Sequence, residues 1–162
     1  MPGKSGWEPR IIAFCCHYCA YGAADLAGSL RYRYPAGVHI IRVPCSGRVD
    51  ERFILRALAR GADGVLVAGC LEGTCHYVAG NVRAARRVQR ARALLAEMGL
   101  EAERVEMFRV SASMGAAFAA FVRDFARRVR NLGPLAADTG EGGAGDDRGA
   151  VETASRAAGG RW

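Results

Sequence analysis

The sequence predicts an α/β fold in which the strands of a parallel sheet alternate with helices. Three short apolar runs rich in β-branched residues are bounded by glycine, proline or cysteine, as buried parallel strands usually are; they cover residues 11–14, 39–43 and 65–68. Helical patterns lie between and after these runs. With right-handed crossovers, this alternation gives a small flavodoxin-like three-layer sandwich with a four-stranded parallel sheet.

The first two helices are expected on either side of the second strand. Residues 21–34 supply the first helix. Asp50 can cap the second helix, and Gly61 lies just past its end. The residues expected on its buried face are Phe53, Ile54, Ala57 and Leu58.

The third helix is predicted over residues 81–98, where apolar residues recur every four or three positions and Gly99 provides a stop signal. Its expected buried face consists of Ala84, Val88, Ala91, Leu95 and Met98. The next apolar run, residues 105–110, also contains Glu106 and Arg109. This mixed run is therefore predicted to be an edge strand.

The last helix is predicted to be capped by Ser111 or Ser113 and to end before Gly133 and Pro134. Large apolar residues repeat along it with helical spacing, which predicts one buried face. That face consists of Phe118, Phe121, Val122, Phe125 and Val129.

The chain of 162 residues is long enough for one hydrophobic core, so one domain is expected, over residues 10–134. Residues 1–9 are predicted to be a flexible N-terminus. Residues 135–162 contain seven glycines and few large apolar side chains, which predicts a disordered Gly/Ala/Asp-rich tail. No apolar stretch has the length of a membrane span or the position of a signal peptide. We therefore expect a cytoplasmic protein without membrane contacts.

The net charge of +7 is carried almost entirely by arginine, because Lys4 is the only lysine. A basic surface attracts nucleic acid or an acidic protein partner. Since exposed aromatic residues are not interleaved with the arginines, the pattern favours solvated helix faces. Nucleic acid is not expected among the partners.

The six cysteines all follow predicted strands. In a reducing compartment, six cysteines favour metal binding or redox chemistry over structural disulfides. The crevice at the carboxyl ends of parallel strands is where ligands bind in such sheets. We therefore expect three turns to deliver thiols to one place; the cysteines are Cys15, Cys16, Cys19, Cys45, Cys70 and Cys75.

Four thiolates in a tetrahedral arrangement can hold zinc or belong to an iron-sulfur cluster, because soft sulfur ligands suit both. Cys16-x2-Cys19 has no matching second pair, and Cys70-x4-Cys75 has a longer loop than most zinc knuckles, which favours the cluster. Three alternatives stay open on this evidence: a zinc-stabilised interaction module, a thiol-disulfide redox switch, and inert buried cysteines.

Two residues beside the cysteines are further candidates. His76, next to Cys75, can ligate a metal or donate a hydrogen bond to a cluster sulfur, and Arg48, after Cys45, can balance the negative charge of a thiolate-bound cluster. Both can also be ordinary solvated residues. No grouping of Ser, His and Asp typical of a hydrolase occurs, so independent catalysis is not expected.

Three segments carry a resemblance to a known family: FCCHYC at 14–19, RVPCSGRV at 42–49 and GCLEGTCHY at 69–77. Together with residues 61–65, 80–81, 111–113 and 132–134, they resemble the delta (iron-sulfur) subunit of methyl-viologen-reducing hydrogenases. The resemblance spans residues 10–134.

This resemblance implies a [2Fe-2S] cluster that relays electrons from a hydrogenase or another dehydrogenase to the flavin-containing subunit of a heterodisulfide reductase. All six cysteines occupy cysteine positions of the family, although such a cluster takes four ligands. The preferred set is Cys70, Cys75, Cys19 and one of the adjacent Cys15 and Cys16; Cys45 can replace either of the last two. The chain departs from the family pattern at 71–72 and at Met114, which bears on the partner surface.

Overall fold

A computed structural model describes residues 6–135 of the chain. The predicted disordered tail therefore lies outside the described residues, apart from Leu135, and of the predicted flexible N-terminus only residues 6–9 are described.

The sheet in this part of the chain has four parallel strands in the order β2-β1-β3-β4. The strands are β1 (Ile11–Cys16), β2 (Val38–Val43), β3 (Gly64–Gly69) and β4 (Val105–Arg109). Ile11 pairs with Val38 of β2 and with Gly64 of β3, so these strands run level and end at the same edge. The predicted α/β fold with a four-stranded parallel sheet is confirmed, with β4 at the edge.

Helices cover both faces of the sheet. Side chains alternate between the two faces along each strand, and the apolar ones on each face are buried under helices. The helices are α1 (Ala20–Ser29), α2 (Glu51–Ala59), α3 (Gly80–Glu97) and α4 (Gly115–Leu132). Leu66 and Ala68 of β3 pack in a core with α1 and α4, whereas Val65 and Val67 pack in a second core with α2 and α3. The result is a three-layer sandwich with one core on each side of the sheet.

A buried arginine ties the end of α4 to the sheet. Arg104 is 1% exposed, and its guanidinium donates hydrogen bonds to the carbonyls of Asp63 and Gly133, each at 3.0 Å. It also pairs with Glu101 at 2.8 Å. The Asp63 carboxylate accepts a bond from the backbone N–H of Leu135. This network closes the end of the sheet opposite the cysteines.

Two residues expected in the core are exposed. Phe53 is 53% exposed, because the i, i+4 pair Ile54 and Leu58 faces the core and Phe53 is turned aside by about 100°. Its ring lines a surface groove that also contains Ile41 of β2. Met98 is 58% exposed because it follows the last residue of α3, where the chain turns away through Gly99.

The start of α4 and the end of α1 also differ from the prediction. Neither serine caps α4; Met114 precedes it without a side-chain cap bond, and Ser111 and Ser113 hydrogen-bond to each other at 3.0 Å. The helix α1 is shorter than residues 21–34, since Arg31 adopts a left-handed conformation (φ 58°) that ends it. Both differences depend on local backbone geometry.

None of the helices in residues 6–135 is both long enough and apolar enough to cross a membrane.

Candidate metal centre

Three buried thiols meet where β1 and β3 end. Cys16 is the last residue of β1, Cys19 directly precedes α1, and Cys70 directly follows β3. Their sulfur atoms all lie within 4.8 Å of one another. The parallel strands therefore place thiols that are up to 54 residues apart at one edge of the sheet, as the sequence predicts.

The spacing of these thiols suits a soft metal. The Sγ atoms of Cys16 and Cys70 are 3.8 Å apart. A tetrahedron with metal-sulfur bonds of about 2.3 Å has an edge of about 3.8 Å, so this pair already has the separation of two ligands on one metal ion. The donor set fits zinc and iron-sulfur clusters alike.

A second pair of thiols, Cys45 and Cys75, lies against the first turn of α3. A Cβ atom added at Gly80 would overlap the Cys45 sulfur and lie 3.2 Å from the Cys75 sulfur. A Cβ added at Gly47 would lie only 2.8 Å from the Gly80 backbone, so these glycines let the two loops pack closely. At Gly80, the sulfur atoms of Cys45 and Cys75 occupy the space that a side chain would fill.

A hydrogen bond between two of the thiols shifts their pKa values in opposite directions. The Cys19 thiol donates to Cys16 and lowers the pKa of Cys16 to about 5, against the opposing effect of burial. The same bond, with burial, raises the pKa of Cys19. Burial also raises the pKa of Cys45 and Cys70. At neutral pH these three thiols hold protons that a metal ion would displace.

Backbone N–H groups at and before the start of α3 favour the thiolate form of Cys75. Burial opposes the charge, but the backbone N–H groups of Asn81, Tyr77 and Gly80 point at its sulfur, and the pKa of Cys75 falls below its usual value. The Cys45 thiol adds a further hydrogen bond to this sulfur. Because the charges of Cys16 and Cys75 also act on Cys45 and Cys70, the five thiols form one electrostatic cluster.

Cys15 takes no part in the hydrogen bonds among the other five thiols, although the charge of Cys16 acts on it. It is fully buried and shares a face of β1 with Ile11 and Ala13, in the core beneath α1 and α4. Burial raises the pKa of Cys15 to about 12. Since adjacent strand residues point to opposite faces, the structure separates Cys15 from Cys16 and brings only Cys16 to the thiol cluster.

A buried amide fixes the loop that carries the last two cysteines. Asn81 is 1% exposed, and its Nδ2 donates to the carbonyls of Cys70 at 3.1 Å and Leu71 at 2.8 Å. This ties the turn after β3 to the start of α3. In the sequence, Asn81 begins the predicted third helix and belongs, with Gly80, to the residues that carry the family resemblance, but neither signal shows its role in the loop.

Three aromatic side chains near Cys19 and Cys75 in the sequence pack on one another. The rings of Tyr18 and His76 stack with centroids 3.9 Å apart, and Tyr77 meets both rings edge-on. His76, singled out from the sequence, is exposed, and its ring packs against the two tyrosines. Tyr18 is not identified from the sequence, because its role depends on this contact across 58 residues.

Arg48, the other residue singled out from the sequence, lies at a cavity beside Cys45. The cavity has a volume of about 320 Å³ and is lined by Pro44, Cys45, Gly47, Arg48, Tyr77, Gly80 and Arg83. Two arginines therefore stand next to the thiol cluster and bring positive charge to it.

Comparison with known proteins gives one consistent family. The model of the family described as methyl-viologen-reducing hydrogenase, delta subunit, matches residues 11–133. An F420-non-reducing hydrogenase iron-sulfur subunit of Archaeoglobus profundus is 52% identical over 129 residues, which cover 80% of this chain and 94% of that protein. The corresponding vhu iron-sulfur subunit of Methanopyrus kandleri is 50% identical over 129 residues, covering 80% and 98%.

A longer relative contains a similar segment. This protein, one subunit of the ferredoxin/F(420)H(2)-dependent CoB-CoM heterodisulfide reductase of Methanosarcina acetivorans, is 41% identical over 130 residues, which cover 80% of this chain but 16% of that protein. Since the family model and the hydrogenase relatives each span most of the domain that bears the cysteines, the chain belongs to the family of the methyl-viologen-reducing hydrogenase delta subunit.

Proposed function

We propose that this chain is the iron-sulfur electron-transfer subunit of a cytoplasmic oxidoreductase complex. In this role it binds a [2Fe-2S] cluster and relays electrons from a hydrogenase, or another dehydrogenase, to the flavoprotein subunit of a heterodisulfide reductase. The observation that carries the proposal is the convergence of Cys16, Cys19 and Cys70 within 4.8 Å, with Cys45 and Cys75 beside them. The chain itself converts no substrate.

The four proposed ligands are Cys16, Cys19, Cys70 and Cys75. The sulfur atoms of the first three lie within 4.8 Å of one another, and those of Cys16 and Cys70 are 3.8 Å apart. Cys75 is the fourth, because backbone N–H groups at the start of α3 already stabilise its thiolate. Cys45 lies beside Cys75 and is the replacement ligand, whereas Cys15 is part of the core.

The bound cluster supplies a one-electron couple whose potential depends on its ligands and their hydrogen bonds. The chain's own residues hold the charge of that site. The backbone N–H groups at the start of α3 donate to Cys75, and Arg48 and Arg83 stand beside Cys45. We propose that His76, an exposed residue next to Cys75, donates a hydrogen bond to a ligand sulfur.

Electrons are proposed to pass through the side of the site that carries Cys75. This is the one partly exposed cysteine of the described chain, and the other five are buried. Around it stand Tyr18 (46% exposed), Tyr77 (52%) and Val78 (87%), an apolar surface of the kind that partner proteins cover.

The longer relative supports the choice of electron acceptor. In Methanosarcina acetivorans, a unit similar to this chain forms part of the same polypeptide as a heterodisulfide reductase subunit. We propose that the separate chain docks on the equivalent reductase subunit, while the hydrogenase named among its relatives supplies the electrons.

The relay is tested by mixing the reduced protein with the flavoprotein subunit of heterodisulfide reductase from the same organism and following flavin absorbance in a stopped-flow instrument. Flavin reduction at a rate that saturates with the concentration of the reductase subunit supports a docked relay. Reduction no faster than with a small-molecule donor of equal potential contradicts it.

A thiol-disulfide switch is the second candidate function. The Cys16 thiolate, with Cys19 hydrogen-bonded to it and Cys70 at 3.8 Å, is an activated sulfur beside two possible partners. This function predicts reversible oxidation without metal, and a zinc-stabilised module predicts a colourless protein with stoichiometric zinc. Metal analysis after anaerobic purification separates all three.

A further inference from the structure

The Ser46 hydroxyl is buried without a hydrogen-bond partner. Ser46 is 1% exposed, and its Oγ has no partner among residues 6–135. Buried hydroxyl groups almost always find a partner, because an unsatisfied one loses its hydration without compensation. This serine is therefore a feature that the thiol form of the protein leaves unexplained.

The hydroxyl lies among the segments that carry the thiols. Ser46 directly follows Cys45, and its backbone N–H donates to the Cys16 sulfur and helps to lower the pKa of that thiol. A Cβ atom added at Gly69, the residue before Cys70, would lie 2.7 Å from the Ser46 Oγ. The Ser46 side chain therefore lies beside Gly69, the residue before Cys70, while its backbone contacts the Cys16 sulfur.

The neighbouring atoms offer the hydroxyl no good acceptor in the thiol form. The Met107 methyl group packs at the same point, 3.2 Å from the position of the added Cβ atom at Gly69. A cluster held by the neighbouring cysteines would present thiolate sulfurs, whose lone pairs can accept a hydrogen bond.

We propose that the Ser46 hydroxyl donates a hydrogen bond to a sulfur of the bound cluster and thereby raises its reduction potential. This inference rests on the proposed [2Fe-2S] function. A hydrogen bond to sulfur stabilises negative charge, and the reduced cluster carries one more negative charge than the oxidised one. The bond therefore favours the reduced state, and Ser46 acts as a residue that tunes the couple through the ligands.

The test compares Ser46→Ala with Ser46→Thr, which keeps the hydroxyl, and with Ser29→Ala, an exposed serine in α1. Each protein is reconstituted with iron and sulfide, then titrated potentiometrically and examined by EPR. We expect Ser46→Ala to keep its iron. At a fixed potential its ratio of reduced to oxidised cluster should be about tenfold lower, which corresponds to a reduction potential about 59 mV below that of the wild type. Its g-values also shift. Ser46→Thr and Ser29→Ala keep the wild-type values.

The cluster-free protein gives a second, independent readout. Removing an unsatisfied buried hydroxyl relieves a penalty, so Ser46→Ala is expected to melt at a higher temperature than wild type without the cluster. A lower melting temperature means that the hydroxyl already has a partner and overturns the inference. The inference is also overturned if Ser46→Ala has the same reduction potential as Ser29→Ala, or if Ser46→Thr shifts the potential as much as Ser46→Ala does.

Failure of the underlying function looks different. If the wild-type chain retains no iron and sulfide after reconstitution, the proposed function is wrong and the Ser46 inference falls with it. If the wild-type cluster forms and only the potential is insensitive to the hydroxyl, the proposed function stands and the Ser46 inference alone is wrong.

Discussion

Replacement of Gly80 by alanine tests whether cluster binding requires the space at the start of α3 that the Cys45 and Cys75 sulfurs occupy. The added Cβ atom would overlap the Cys45 sulfur and press on the Cys75 sulfur at 3.2 Å. Gly80 has a helical backbone that alanine can adopt, so the perturbation is confined to the thiol cluster. The two thiols must move away from the N–H donors that hold them.

The substitution is expected to weaken metal binding more than it lowers the stability of the fold. Alanine in a helix gains about 1 kcal/mol over glycine, and overpacking costs about 1–3 kcal/mol, so the fold loses at most about 2 kcal/mol. Displacing groups that orient metal ligands typically weakens metal affinity by about 10- to 100-fold. We therefore expect a Gly80→Ala protein that folds but binds its cluster weakly.

The assay measures iron and sulfide after reconstitution and the loss of visible absorbance against a chelator, alongside thermal melting. Gly28→Ala in α1 is the matched control, because an added Cβ atom there meets nothing within 4 Å. The control should keep its cluster and gain about 0.5–1 kcal/mol of stability. If Gly80→Ala resisted the chelator as well as the wild type does, the added Cβ atom would leave the ligands undisturbed, and the inference that cluster binding needs the space at Gly80 would be wrong.

Ligand identity, pH and the buried arginine give three more tests. Cys70→Ser should abolish stoichiometric iron binding, whereas Cys15→Ser should keep the iron but lower the melting temperature, because a buried hydroxyl costs about 1–3 kcal/mol; iron retained in the first or lost in the second contradicts the ligand assignment. Since the pKa of Cys19 and of Cys70 is raised, these thiols must release protons on binding, and metal affinity should rise between about pH 6 and pH 8 in chelator competition; a flat or falling profile is the contrary result. Arg104→Met removes the pair with Glu101 and should destabilise the fold by about 1–3 kcal/mol for each of the two carbonyls left unpaired, as measured by urea unfolding; the cluster content should not change.

The sheet could be predicted from the sequence because its signals are local. The β-branched runs around Ile11 and Val65, and the glycines that bound the third strand, identify buried parallel strands by composition alone. Once the strands are parallel, their carboxyl ends lie together, so the position of the thiols follows from topology. That reasoning holds without any knowledge of side-chain contacts.

The details of the site depend on contacts between distant residues and could not be predicted. Nothing near Gly80 in the sequence shows that its missing side chain makes room for Cys45, 35 positions earlier. The sequence predicts that only one of the adjacent Cys15 and Cys16 is a ligand, but which of the two turns toward the other thiols depends on how β1 packs. The orphaned hydroxyl of Ser46 likewise becomes visible only when the turns before and after it are packed.

The exposed position of Phe53 has a similar origin. Helical spacing identifies which residues share a face, but two overlapping apolar faces are possible on α2, and only packing against α3 and the sheet selects the one with Ile54 and Leu58. Phe53 then remains at the surface, in the groove beside β2.

The central claim is that the converging thiols hold a [2Fe-2S] cluster, and anaerobic purification followed by iron and sulfide quantitation with EPR tests it most directly. We expect a brown protein with about two irons and two sulfides per chain and, after reduction with dithionite, an EPR signal of about one spin per chain. A colourless protein with stoichiometric zinc, or intact thiols without metal after cluster reconstitution, would contradict the claim.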